Sequence, residues 1–204
     1  MGAAVSLLQA ARAPSTVAGL ALVSPVLPVS LRRAAHPLVI AQFLVYAVPG
    51  LGEWFLRARR ERFGTRELVD RSVAFMTADV RRVPQHVVEQ RYTLVERRAA
   101  RPDSDRAFLS AARSLMRLLS DPFAYVDIIR DVEAPALMLH GAQDRLVSAE
   151  SAEHLRRLRP DWSIDVLHDV GHLAQLETPT AVADRIERWL VAAQVQAQPR
   201  GGTA

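Results

Sequence analysis

The chain has 204 residues, 50% hydrophobic and 24% charged, with a formal net charge of +4 and no cysteine. That balance belongs to one folded domain, or one core with an insertion, and excludes a mostly disordered polypeptide. It also excludes disulfides and cysteine-based metal or redox chemistry. All 26 basic residues are arginine, scattered among acids, as at Arg12, Arg91, Arg130 and Arg185. Nucleic-acid binding calls for a basic stripe or patch, so no nucleic-acid partner is expected.

Gly2 to Ala13 reads as a helix of small and apolar residues, with Val5, Leu8 and Ala11 in one direction, ended by Pro14-Ser15. Val17 to Val23 (VAGLALV) is a short apolar run closed by Ser24-Pro25, which suits a strand buried on both faces. Residues 1–25 are therefore expected to supply one helix and one strand of an α/β core. The first 31 residues lack a basic start and are interrupted by Arg12, so no signal peptide is expected and the location is taken as cytoplasmic.

From Val26 to about Tyr125 the periodicity is helical. Leu38 to Val48 is strongly apolar, but Pro37 to Gly52 is broken by Gln42, Pro49 and Gly50. It falls short of the roughly 20 residues of a spanning helix, so no stable membrane insertion is expected. Glu53 to Phe63 sets Trp54, Phe55 and Leu56 beside Arg57, Arg59, Arg60 and Arg62, and Arg66 to Thr77 presents Leu68, Val69, Val73 and Met76. Pro84 opens a helix through Arg98. Asp103 or Ser104 caps another, with Phe108, Leu109, Ala112, Leu115, Met116 and Leu119 on one face, until Asp121-Pro122 stops it. Residues 26–125 read as a helical insertion.

The α/β pattern returns over residues 126–193. Ala136 to His140 is a buried strand, Ser151 to Leu158 a helix, Ser163 to Leu167 a third strand, and Thr178-Pro179 starts the last helix through Val182, Ile186 and Leu190. Residues 194–204 are polar and Gly-rich and read as a disordered tail.

Two segments carry chemistry. In His140-Gly141-Ala142-Gln143-Asp144-Arg145-Leu146-Val147 a carboxylate follows a buried strand after a Gly turn, at the carboxyl edge where open α/β sheets place their sites. In Asp169-Val170-Gly171-His172 an imidazole follows the third strand, 28 residues after Asp144. One helix and one strand separate the two loops, so both can open on the same side. Asp144 is then placed to accept a hydrogen bond from one ring nitrogen of His172. That would fix the tautomer and leave the other nitrogen as a base.

The chain resembles the C-terminal part of an α/β-hydrolase, over residues 1 to 193. HGAQDRLV is similar to the family's acid loop, H-G-x-x-D-x-x-V, and GHLAQLETP to its G-H followed by an acidic residue and proline. The resemblance implies a fold of three parallel strands with a helical cap insertion. It implies a serine hydrolase acting on a small hydrophobic ester or related acyl substrate, with Asp144 and His172 as triad acid and histidine and no cofactor or metal. Aspartate-nucleophile and haloperoxidase-like members share parts of this pattern.

The family's nucleophile elbow, G-x-S-x-G, is absent from the 204 residues. Met1-Gly2-Ala3-Ala4-Val5 resembles the stretch just after the elbow serine. That serine is expected immediately before Met1, and Met1 at the position of an oxyanion-hole N–H, with a free amine here in place of an amide. As it stands the chain is expected to be inactive, with an exposed edge on the first strand that invites self-association. The competing reading is an inactive fragment or pseudoenzyme that acts, if at all, through a partner chain. Ser6 and Ser24 lack elbow glycines and are rejected as nucleophiles. His168 and His172 stand four apart, but Gly171 and the preceding strand argue against a metal-binding helix. His140 reads as a packed strand-end residue, the Trp54/Phe55 stretch as an amphipathic cap helix, and Asp127 and Glu133 as solvated or capping groups.

Overall fold

The computed structural model describes residues 1–27 and 36–197. Three strands, β1 (Leu20–Val23), β2 (Ala136–Gly141) and β3 (Ser163–Leu167), form a parallel sheet in the order β1-β2-β3. The register pairs Leu20 with Ala136 and Leu137 with Ser163. Helices α1 (Gly2–Arg12), α2 (Pro37–Ala47), α3 (Leu51–Met76), α4 (Gln85–Ala99), α5 (Ser104–Ser120), α6 (Pro122–Arg130), α7 (Glu150–Leu158), α8 (Ala174–Glu177) and α9 (Pro179–Ala197) complete the described residues.

Strand β2 is the centre of the fold, and every one of its residues is buried. Successive side chains point to opposite faces of a strand. Ala136 and Met138 join Leu7, Leu22, Tyr125, Ile129 and Leu155 on one face, while Leu137 and Leu139 join Leu167, Val170, Ala174 and Val182 on the other. Two helical layers therefore sandwich the sheet.

The first strand is shorter than its apolar run. Pro14–Thr16 forms a 3-10 turn, and β1 begins only at Leu20, whose N–H donates to the Pro135 carbonyl. It is not buried on both faces: Ala21 is exposed and Val23 half-buried, and β1 has a strand partner on one side alone among the described residues.

In the helical block, the two helices expected over 53–63 and 66–77 form one run, α3, kinked at Gly64 with φ 70 and ψ 166. A positive φ of that kind is cheap only for glycine. Tyr46 is the hub of this block, buried and in edge-to-face contact with Phe43, Phe55 and Phe108. Arg113 ties the block together by donating to the Tyr46 carbonyl and to the Glu53 carboxylate. Asp121-Pro122 stops α5 and also starts α6, an element not anticipated from the sequence. The Asp121 carboxylate accepts from the Ala124 N–H, and Pro122 sits in the first turn. Helix α6 runs through residue 125, where the sequence reading ended the helical block. The Tyr125 hydroxyl, buried beneath it, donates to the Val26 carbonyl. At the other end, α9 continues to Ala197, past the expected tail start at Gln194; residues 198–204 lie outside the described residues, as do 28–35 of the helical block.

Candidate active site

Asp144 stands on the turn that leaves β2. Its N–H donates to the Gly141 carbonyl at 3.2 Å, and its Oδ1 accepts the N–H groups of Leu146 (2.8 Å) and Val147 (3.0 Å). These bonds aim Oδ2 at the loop after β3, where it meets His172 Nδ1 at 2.8 Å. The Asp144 side chain is fully buried, while that of His172 keeps 23% of its surface exposed. A carboxylate accepts, so Nδ1 carries the proton and Nε2 presents its lone pair. Nε2 has no hydrogen-bond partner among the described residues.

Backbone contacts hold the two loops together. The Ala142 N–H donates to the Leu167 carbonyl and the Gln143 N–H to the Val170 carbonyl, both at 2.9 Å. Gln143 Nε2 donates to the Asp169 carboxylate at 3.0 Å, where Asp169 turns the chain with φ 55. A Cβ on Gly141 would lie 2.1 Å from the Gly171 carbonyl oxygen, and one on Gly171 would lie 2.7 Å from the Met76 carbonyl oxygen. Neither position has room for a side chain.

His140 is buried at the end of β2. Its Nε2 lies 3.0 Å from the Val147 carbonyl and 3.6 Å from Asp144 Oδ2. Burial lowers its pKa below the ordinary 6.5, against smaller opposing effects of the Val147 bond and the Asp144 charge. The ring is therefore neutral near pH 7, Nε2–H donates to Val147, and the approach to Asp144 is not an ion pair. Its Nδ1 has no partner.

Of the residues singled out from the sequence, the structure joins Asp144 and His172 directly. Met1 stands at the N-cap of α1, its amine lowered from the ordinary value of 8.0 by burial, and it bonds to neither of them. Ser6 Oγ donates to the Gly2 carbonyl within its own helix. Ser24 is buried at the end of β1 with φ 46, and its Oγ has no partner. His168 is exposed, and no group of three or more His, Asp or Glu among the described residues is placed to hold a metal ion. A groove of about 360 Å³ lies beside the acid loop, lined by His36, Ala142, Arg145 and Ser148 among others.

One residue at the site was not assigned from the sequence. Glu177, buried at the end of α8, accepts the Gly171 N–H at 2.8 Å through Oε1, and those of Ala78 (2.9 Å) and Asp79 (3.1 Å) through Oε2. Its signal was the acidic residue before proline in GHLAQLETP.

A parallel sheet with an acid–imidazole pair on the loops at its carboxyl edge defines an α/β-hydrolase core. The family model described as "Alpha/beta hydrolase family" matches residues 1–185, and the chain belongs to that family. Its fold is similar to a serine hydrolase of Cycloclasticus zankles, a bacterium that degrades polyaromatic hydrocarbons (TM-score 0.67, 17% identity, 94% of this chain and 62% of that one). It is likewise similar to a thermophilic esterase of Thermogutta terrifontis (TM-score 0.63, 21% identity, 94% and 62%). A serine hydrolase involved in carbazole degradation aligns with TM-score 0.64 at 21% identity, over 94% of this chain and 60% of that one. The chain thus spans about 60% of the length of these structures. No curated protein matches it by sequence. No helix among the described residues is long and apolar enough to cross a membrane.

Proposed function

We propose that the protein is a serine hydrolase that cleaves small hydrophobic carboxylic esters or related acyl substrates, with His172 as general base and acid and Asp144 as its orienting group. The observation that carries this reading is the 2.8 Å contact of Asp144 Oδ2 with His172 Nδ1, which leaves Nε2 free. In this reading the nucleophile is a serine outside the 204 residues, which carry no G-x-S-x-G, and the Met1 backbone N–H, where it is an amide, is one oxyanion donor.

That geometry sets the order of events. The serine hydroxyl adds to the ester carbonyl while Nε2 takes its proton, and the imidazolium is stabilised by the buried Asp144 carboxylate. The tetrahedral oxyanion is held by backbone amides. It collapses to an acyl-enzyme as Nε2 returns the proton to the departing alkoxide. Water then repeats the cycle, giving up its proton to Nε2 and releasing the acid. The helical block is proposed as a lid, whose apolar side chains, Leu38, Leu44 and Trp54 among the exposed ones, are the basis for a hydrophobic substrate. A cytoplasmic setting belongs to the same proposal, with cell fractionation as its check.

The test is hydrolysis of a short-chain p-nitrophenyl ester. The chain extended upstream through its own coding sequence hydrolyses it and loses that activity on His172→Ala, while the 204-residue chain does not. Hydrolysis by the 204-residue chain that His172→Ala abolishes contradicts the assignment of the nucleophile.

The edge of β1 that pairs with no strand among the described residues favours a second reading, in which this chain is catalytically silent and acts by pairing with another chain or with itself. Concentration-dependent sedimentation of the 204-residue chain, abolished by a proline at Ala21, distinguishes it; a monomer at every concentration removes self-association.

A further inference from the structure

We propose that Glu177 is a positioning residue that locks the His172 loop to the segment returning from the helical block, so that His172 keeps its bond to Asp144 while that segment is docked. The proposal rests on the reading of Asp144 and His172 as the acid and base of the site.

The contacts between the two segments run both ways. Met76 ends α3, and its carbonyl accepts the N–H groups of His172 (2.7 Å) and Leu173 (3.3 Å). Two residues on, Ala78 and Asp79 turn their N–H groups to Oε2 of Glu177, whose Oε1 takes the Gly171 N–H. The residue preceding His172 and the His172 amide itself are thus bonded to the same short segment, one directly and one through a carboxylate. Glu177 keeps only 5% of its surface exposed, and removing its carboxylate leaves the buried Gly171 N–H without its acceptor.

The approach is too close to be incidental. A Cβ on Gly171 would meet Ala78 N, the Met76 carbonyl oxygen and the Thr77 carbonyl carbon at 2.7, 2.7 and 2.8 Å. Two further contacts fasten the same seam. Arg82 donates to the Asp169 carbonyl, and Leu176 packs against the cluster of Val69, Val73 and Val83. The helical block therefore meets the catalytic histidine through its backbone. A shift of Met76–Asp79 displaces the Gly171–His172 peptide, and with it the imidazole that must face Asp144. Opening of the block would then switch the base out of register as well as expose the site.

The experiment is NMR of the full chain, reading two signals: the downfield Nδ1–H proton of His172, and hydrogen exchange of the Gly171, Ala78 and Asp79 amides. Glu177→Gln keeps the size of the side chain and replaces one acceptor oxygen by a donor. The expected result is exchange of those amides faster by about tenfold or more, with loss or broadening of the His172 proton. Asp144→Asn is the control for the underlying reading and should abolish the His172 proton without touching the Ala78 and Asp79 amides. If Asp144→Asn leaves that proton in place, the acid–base reading fails, and the proposal with it. If Asp144→Asn removes it but Glu177→Gln leaves it unchanged, the coupling alone is overturned. Should Glu177→Gln not fold, native-state exchange of the unmutated chain in rising denaturant gives the same decision. The three amides and the His172 proton should be lost in one step below global unfolding; separate steps overturn the proposal.

Discussion

In the helical block, Leu38, Leu44, Val48, Leu51 and Trp54 leave between 42% and 67% of their surface exposed, whereas at the carboxyl edge of the sheet Leu139, His140, Val147 and Leu173 leave at most 8%. The polar groups differ in the same way. Asp144 and Glu177 are buried acceptors that each serve two or more N–H donors, while most ion pairs of the block, such as Arg71 with Glu67, sit in solvent. Exposed pairs of that kind contribute little to stability. The edge of the sheet is held by backbone meeting backbone, which tolerates almost no change. The block is held by the aromatic hub at Tyr46 and a small cluster of Val69, Val73 and Val83, and it leaves several apolar side chains exposed.

The contrast can be broken first at the site. In the enzyme that carries its nucleophile, Asp144→Asn should lower kcat about 10⁴-fold by favouring the wrong tautomer of His172, with KM little changed in steady-state ester hydrolysis. A loss below about tenfold would detach the edge of the sheet from the chemistry.

Stability separates the regions next. Gly141→Ala sets a Cβ 2.1 Å from one backbone oxygen and 2.4 Å from another, so it should cost about 3 kcal/mol or more in urea unfolding. Inside the block, Leu109 is fully buried and Leu109→Ala should cost about 2–5 kcal/mol, whereas Trp54→Ala, 61% exposed, should stay within about 0.5 kcal/mol. Equal losses at Leu109 and Trp54 would mean that Trp54 is covered after all.

The smallest effect concerns pH. Burial holds His140 neutral in the folded chain, below the ordinary value of 6.5, so the unfolded chain binds more protons in acid. The associated stability is fully present above pH 6.5 and declines as pH falls below it, by at most about 1.4 kcal/mol per pH unit for a single proton. His140→Gln should flatten that slope between about pH 6.5 and 5. An unchanged slope would assign it to other groups.

The edge of the sheet was also the region most legible in the sequence. HGAQDRLV and GHLAQLETP place Asp144 and His172 on the loops that leave β2 and β3, because strand ends, turn glycines and loop side chains follow one another at short range. The kink at Gly64 and helix α6 were less visible. Two helical periods run into each other across a lone glycine, and Asp121-Pro122 reads equally as a stop and as a start. The start of β1 was overextended because Val17 continues the apolar run although it lies before the first ladder bond, at Leu20. GHLAQLETP marks Glu177 as an acidic residue six positions after Gly171, but its contacts with Ala78 and Asp79, 99 and 98 residues away, were out of reach. No local pattern carries a contact of that separation.

The proposed role of Asp144 and His172 is to activate a serine nucleophile. A fluorophosphonate probe applied to the upstream-extended chain, with the adduct mapped by peptide mass spectrometry, tests it most directly. One adduct is expected, on a serine outside the 204 residues, and its formation should be lost in His172→Ala. An adduct on Ser24 or elsewhere within the 204 residues, or labelling that persists in His172→Ala, would contradict it.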